Sequence, residues 1–213
     1  MWGSALLVSP ILEQGATSRD IYLPPSSRWY DISELLTSGT WSESSTGQLT
    51  LGHVPLEMIP LHVRGGHILP LQQPDVNTLH SRVKPLELLS KVYSLIFQLY
   101  SNPVLVALDQ DQKASGDLYY DDGDSLETIS NEKYFYANMT MSDNIFLMNT
   151  DKNGYDGMES LVLDRVILLG LTVEVESVFV NNNYVEDWSY SNGGLFINNI
   201  NVKITELQSF MIF

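Results

Sequence analysis

The chain of 213 residues is 44% hydrophobic and 17% charged, a composition that packs into one large domain or two small ones and rules out a disordered tail. Its 11 basic and 26 acidic residues sum to a formal charge of −15, which argues against nucleic acid or an anionic membrane as partner, since both would repel it. It has no cysteine, hence no disulfide framework, no thiolate chemistry and no cysteine zinc site.

Residues 5–12 are apolar and close to Met1, but they lack a basic flank, contain Pro10 and run into Glu13 rather than a small-residue cleavage site. They read as a short buried strand and not as a signal peptide. Strands over 20–23 and 29–32 flank the turn cluster Pro24-Pro25-Ser26-Ser27. The stretch 38–52 is rich in Ser, Thr and Gly and reads as an exposed loop leading into a strand. Residues 58–63 and 68–71 form two apolar strands across Gly65-Gly66, a β-hairpin or a bulge, with Pro60, Pro70 and Pro74 at edges or ends. Further on, Leu89, Tyr93, Ile96, Phe97 and Tyr100 recur at helical spacing. That segment is too short and too polar to span a membrane, and reads as an amphipathic surface helix or a hairpin. Between 109 and 127 lie seven acidic residues and one lysine, Lys113, before an apolar run resumes at 134–137. Segments 160–171 and 173–180 are β-rich, Asn181-Asn182-Asn183 is a turn, and Gly193-Gly194 marks a hairpin between 188–190 and 195–197. The last strand is expected at 201–205. Many short strands punctuated by Gly, Asn and Pro indicate β-sandwiches.

The residues that could carry chemistry are few. Asp121-Asp122 is the tempting acid pair, because general acid–base chemistry uses carboxylates placed on either side of a reacting bond. Adjacent strand residues point to opposite faces, and adjacent turn residues lie on one side of any substrate, so neither geometry brackets such a bond. Asp122-Gly123 is itself a turn signature. The histidines are His53, His62, His67 and His80; His62 and His67 flank Arg64-Gly65-Gly66, but no carboxylate or third histidine stands at the spacing a zinc site demands. Arg64 beside the glycines is expected in an ion pair or on backbone carbonyls. Trp2, Trp29, Trp41 and Trp188 are scattered as packing residues are. Asn138-Met139-Thr140 is an N-glycosylation sequon.

Four blocks stand in a telling order. They are Trp2-Gly3-Ser4-Ala5-Leu6-Leu7-Val8-Ser9-Pro10-Ile11-Leu12; Tyr22-Leu23-Pro24 with Trp29-Tyr30-Asp31; Pro55-Leu56 and then Ile59 through Pro70; and Gly116-Asp117-Leu118-Tyr119-Tyr120-Asp121-Asp122-Gly123-Asp124-Ser125. Together they resemble the C-terminal end of the family 31 glycoside hydrolases, the α-glucosidases, over roughly residues 1 to 130. The resemblance implies an all-β chain: two C-terminal β-sandwich domains, proximal and distal, preceded by the last strand of a truncated (β/α)8 barrel. Residues 1–12 would be the barrel-strand remnant, 13–76 the proximal sandwich, and 77–213 the distal sandwich with an inserted segment near 90–103. Relatives run from the equivalent of Pro85-Leu86 straight into Val106-Ala107-Leu108-Asp109, and often carry Trp where this chain has Leu49.

In that family the whole enzyme releases terminal α-linked glucose from oligosaccharides, glycogen or starch with retention, using aspartates on barrel strands upstream of this region. Their motifs do not occur here. The resemblance therefore implies no catalytic residue, cofactor or metal in this chain, and Asn138 as a glycosylation site. It implies a fragment that braces the missing catalytic barrel, with α-glucan as substrate only in the full enzyme. Localisation would be the secretory pathway: lysosomal, extracellular or membrane-attached through regions outside the chain. A second class stands beside it, a non-catalytic carbohydrate- or protein-binding β-sandwich module, which exposed, co-facial tryptophans would mark.

Overall fold

A computed structural model describes residues 1–71 and 103–213. Apart from one four-residue helical turn, Leu35–Ser38, and two short 3-10 turns, the regular secondary structure of the described chain is strand, the all-β architecture the punctuation indicates. The expected insertion near 90–103 and the expected boundary at 76/77 lie outside the described residues, as does His80.

The first part forms two small sheets. β1 (Leu6–Val8), β3 (Trp29–Asp31), β4 (Ser42–Glu43) and β6 (Leu61–Arg64) make a four-stranded sheet in the order β1-β6-β3-β4, and β2 (Arg19–Leu23) pairs with β5 (Gly47–Leu51). The expected strands on either side of Pro24-Pro25 are present as β2 and β3. Two expectations are corrected here. The stretch 38–52, read as a loop leading into a strand, holds two strands, β4 paired with the preceding β3 and β5 paired with β2. Residues 58–60 are not strand, and β6 does not form a hairpin with β7 (His67–Pro70): β6 pairs with β1 and β3, whereas β7 pairs with later strands. Gly65-Gly66 is thus a corner between sheets. A Cβ on Gly65 would lie 2.7 Å from the carbonyl oxygen of Leu108, a close approach that only glycine permits.

The second part is one rolled sheet. β8 (Pro103–Ala107), β9 (Ala114–Tyr120), β10 (Phe135–Ser142), β11 (Ile145–Asn153), β12 (Val162–Leu163), β13 (Arg165–Leu169), β14 (Val178–Val180), β15 (Asn183–Val185), β16 (Trp188–Ser191), β17 (Gly194–Ile197), β18 (Val202–Lys203) and β19 (Ser209–Ile212) follow in order. Eleven strands join as β15-β14-β19-β11-β10-β9-β7-β8-β13-β17-β16, and β12 pairs with β18. The roll encloses a core to which β9, β10, β11, β14, β17 and β19 each give one face, including Phe135, Met139, Phe146, Ile197 and Phe210. β8 and β13 differ, since both of their faces are covered. Val104, Val106, Val166 and Leu168 enter that large core, while Leu105, Ala107, Ile167 and Leu169 pack with Tyr30, Ile32 and Val63 from the first sheet. Unbroken apolar runs are what a doubly covered strand requires.

The hairpins follow local turn chemistry. Asp143-Asn144, Asn181-Asn182 and Asn192-Gly193 link β10–β11, β14–β15 and β16–β17, and both residues of each pair have positive φ, between 48° and 76°. That is the type I′ pattern that Asn, Asp and Gly favour. Two later expectations are corrected: within 173–180 only β14 is strand, and 201–205 shortens to β18 followed by the 3-10 turn Ile204–Glu206. The last strand is β19, which sits inside the sheet between β14 and β11.

Candidate functional site

The densest polar constellation lies at the joint between the first sheets and the roll. β3 and the residue before it present Arg28, Trp29 and Tyr30 there. The Arg28 guanidinium donates from Nε and Nη2 to the two oxygens of Glu43 at 2.9 and 2.6 Å, and from Nη1 to the carbonyl oxygen of Gly170 at 3.0 Å. Its carbon stands 5.4 Å from the centre of the Tyr30 ring. Tyr30 donates its hydroxyl to the Leu108 carbonyl at 2.5 Å, and Gln112 donates Nε2 to the same Gly170 oxygen at 2.9 Å. The hydrogen bond to Glu43 raises the Arg28 pKa, the same bond lowers that of Glu43, and burial raises that of Tyr30. Guanidinium and carboxylate are therefore held charged and paired, and the phenol is held protonated on the Leu108 carbonyl. This is a clamp whose polar groups are spent mainly on one another and on backbone carbonyls.

The described histidines do not form one site. His62 on β6 is 1% exposed with an unpartnered Nδ1, and burial lowers its pKa, partly opposed by Asp31, so the neutral ring is favoured. His67, in the other sheet, sets Nδ1 near the carbonyls of Arg64 and Gly65 (3.2 and 3.3 Å) and Nε2 at 3.1 Å from the Ser4 hydroxyl. Arg64 was expected in an ion pair or on carbonyls; its Nε donates to the Ser27 hydroxyl at 2.8 Å. Among the described residues there is no group of three His, Cys, Asp or Glu side chains placed to hold a metal ion.

Asp121-Asp122 sits in a turn whose own groups bond to its oxygens. Asp121 accepts the Gly123 N–H (2.8 Å) and the hydroxyls of Tyr119 and Thr128 (3.1 and 3.0 Å). Asp122 accepts the N–H groups of Asp124 and Ser125 and the Ser125 hydroxyl. The two carboxylates stabilise one loop rather than facing each other across a gap. These Asx-type bonds are why the sequence turns there.

Asn138 lies mid-strand on β10, on the face opposite the core residues Ala137 and Met139, with Asp117 and Asn149 as its cross-strand neighbours. It is half-buried, its Nδ2 donates to Asp151, and Thr140 of the sequon is exposed. The tryptophans share no exposed face. Trp29 is buried with its Nε1 on the Pro24 carbonyl (3.1 Å), Trp41 packs edge-on to Tyr30, and Trp188 packs on the large core, leaving Trp2 as the exposed one.

Two open clefts escaped the reading of the sequence. One, of about 510 Å³, lies between the β3–β4 connection and the 51–60 segment, lined by Asp31, Glu34, Trp41 and His53 among others. A second, of about 430 Å³, lies between β15 and the 198–202 segment, with Tyr184, Asp187, Asn198 and Asn199 in its wall. The clusters 181–183 and 198–201, rich in asparagine, were the available signal, but they register first as turn formers.

Residues 1–69 match the glycosyl hydrolase family 31 C-terminal domain. The chain is 33% identical over 183 residues to intestinal sucrase-isomaltase of Rattus norvegicus, covering 86% of this chain and 9% of that protein. To the lysosomal alpha-glucosidase of the same species it is 31% identical over 207 residues, 90% of this chain and 20% of the other. Its fold superposes with a TM-score of 0.71 on the Tris-bound glucosidase II alpha subunit at 22% identity, over 98% of this chain and 22% of that one. The chain thus spans between 9% and 22% of the length of these proteins.

Proposed function

From its membership of the family 31 glycoside hydrolases, whose C-terminal domain this chain carries, we infer that it is the non-catalytic β-domain end of an α-glucosidase. The whole protein would hydrolyse terminal α-linked glucose from oligosaccharides, glycogen or starch, and this region would brace the catalytic barrel while contributing none of its acids. One observation carries the reading: the match falls on the family's C-terminal domain, in relatives that extend far beyond it. The bonding of Asp121 and Asp122 within their own turn supports the absence of a catalytic pair. So does a clamp whose carboxylate, Glu43, is bound on both oxygens by Arg28.

A brace needs a surface for what it braces. Ser9 N–H donates to the Pro60 carbonyl at 3.0 Å, which sets the exit from β1 beside the 55–60 segment. Leu12, Leu56 and Ile59 are exposed there at 79%, 102% and 53%. Exposed apolar side chains on neighbouring segments fit a contact surface, and its occupant would be the barrel, because the family resemblance puts residues 1–12 at the barrel's last strand. The names of the relatives, intestinal and lysosomal, support a secretory route, and among the described residues no helix is long and apolar enough to cross a membrane.

The test is enzymatic. The purified chain should release no glucose from maltose or an aryl α-glucoside, whereas a chimera in which it replaces the matching region of the rat lysosomal enzyme should do so. Turnover by the chain alone overturns the reading, as does a folded chimera without activity.

A further inference from the structure

We propose that the cleft between β15 and the 198–202 segment is a binding subsite for short α-linked glucose oligosaccharides. It sits where the rolled sheet fails to close. β15 and β16 are the two edges of that sheet, yet they are consecutive in sequence and joined only by Glu186-Asp187. The linker walls the cleft, and β15, paired on one side alone, forms its rim.

A sugar ring presents an apolar C–H face and an edge of hydroxyls, so its site needs an aromatic or aliphatic platform beside fixed acceptors and amides. Both are present in a volume of about 430 Å³, within the range of small-ligand sites. Val180, Val185 and Val202 supply apolar lining. Tyr184 is 56% exposed at the rim and is held in an edge contact with Phe179, ring centres 5.6 Å apart, so it offers an aromatic surface at small entropic cost. The polar wall is built in advance. Asp187 accepts the side-chain amides of Asn198 and Asn199, its carbonyl accepts the Asn198 N–H at 2.8 Å, and Asn198 Oδ1 is fixed by Arg165 Nε at 2.8 Å. A carboxylate with two oxygens retains lone pairs beyond these bonds and can accept sugar hydroxyls.

The same lining selects against other ligands. It carries Glu186 and Asp187 and, among the described residues, no lysine or arginine. Phosphates, sulfates and acidic peptides are repelled, and a neutral polyol is not. The choice of an α-glucan over other neutral sugars rests on the functional reading above.

The experiment is a titration of the isotope-labelled 213-residue chain with maltotriose, followed by amide chemical shifts. Saturable shifts confined to 180–187 and 198–202, with a dissociation constant of about 1–10 mM, are expected. Tyr184→Ala should weaken binding about tenfold, one factor of ten being the scale of a lost aromatic contact, and Tyr184→Phe should retain it. An unchanged melting temperature shows that the exposed edge tolerates the change; if Tyr184→Ala unfolds, the wild-type shift map and Tyr184→Phe still decide. No saturable shift, shifts that map elsewhere, or a response to cellotriose but not maltotriose overturns the subsite. A chimera that hydrolyses maltose while the cleft stays silent removes the subsite and leaves the functional reading intact.

Discussion

At Gly170 the clamp leaves no room. The residue has φ +90°, and a Cβ built on it would lie 2.0 Å from the Tyr30 hydroxyl oxygen, itself committed to the Leu108 carbonyl. Gly170→Ala should therefore cost about 2–4 kcal/mol, combining left-handed strain with displacement of the ring. Tyr30→Phe alone leaves a buried carbonyl unpaired, for about 1–2 kcal/mol. The double variant should be less destabilised than the sum, since the clashing oxygen is gone; additive urea-unfolding free energies would contradict the contact. His62 gives a pH signature. Burial lowers its folded pKa, so the unfolded chain binds a proton that the folded one resists. Its contribution is fully present above the unfolded value of about 6.5 and is lost as pH falls toward the folded one. His62→Gln should flatten the stability profile below about pH 6.5; a slope equal to wild type there would show that the ring stays solvated. Asn138 tests the cellular route. Its side chain is half-buried on the strand face away from the core, with Nδ2 on Asp151; expression in a secretory host should add glycan mass that Asn138→Gln removes, and an intact mass equal to the bare polypeptide would contradict it.

At the scale of elements, β8 and β13 are the strands on which the two parts of the molecule meet. Leu168 faces the large core and Leu169 the core shared with Tyr30, both at 0% exposure. Leu168→Ala and Leu169→Ala should each cost about 2–5 kcal/mol, where a strand with one wet face would show the loss at one position only. Near-neutrality of either variant in urea unfolding would mean that one of the two interfaces is loose. An unbroken apolar run, the signal of such double burial, misled at 5–12: the expected buried strand shortens to β1, whose residues are half-buried, and Leu12 is 79% exposed. The turns at 181–183 and 193–194 were legible as turns, because local Asn and Gly chemistry specifies them; the structure sets the second one residue earlier, on Asn192-Gly193, and starts β15 at Asn183 and β17 at Gly194. Gly65-Gly66 was not legible, since a glycine turn serves a change of sheet as well as a hairpin, and the partners that decide the matter lie about forty residues downstream at β8 or upstream at β1 and β3. β19 was missed for a related reason. Its Ser-Phe-Met-Ile run carries no turn signal, and its place between β14 and β11 depends on pairing alone. The candidate sites divide along the same line. The Asp121-Asp122 turn is local chemistry and was readable, while the Arg28–Glu43–Gly170 clamp joins residues fifteen and 142 positions from Arg28 and had no local mark.

For the whole molecule, the functional reading turns on the surface near Leu12, Leu56 and Ile59. If a barrel covers it in the intact protein, the isolated chain exposes apolar area that folding alone would not leave in water. The chain should then bind an apolar dye and self-associate despite a charge of −15, because a hydrophobic patch can outweigh net repulsion once salt screens it. Leu56→Lys with Ile59→Lys should abolish dye binding and association while leaving the melting temperature within a few degrees, since neither side chain is part of the described cores. In the chimera the same pair should have the opposite consequence. Charges pressed against the barrel must be desolvated without partners, so the chimera should lose thermal stability and activity together. A pair of lysines that solubilises the isolated chain but leaves the chimera unaffected would place the barrel on another face. Loss in the chimera alone, with the isolated chain monomeric and free of dye from the start, would mean that Leu56 and Ile59 make contacts specific to the barrel rather than a general apolar surface.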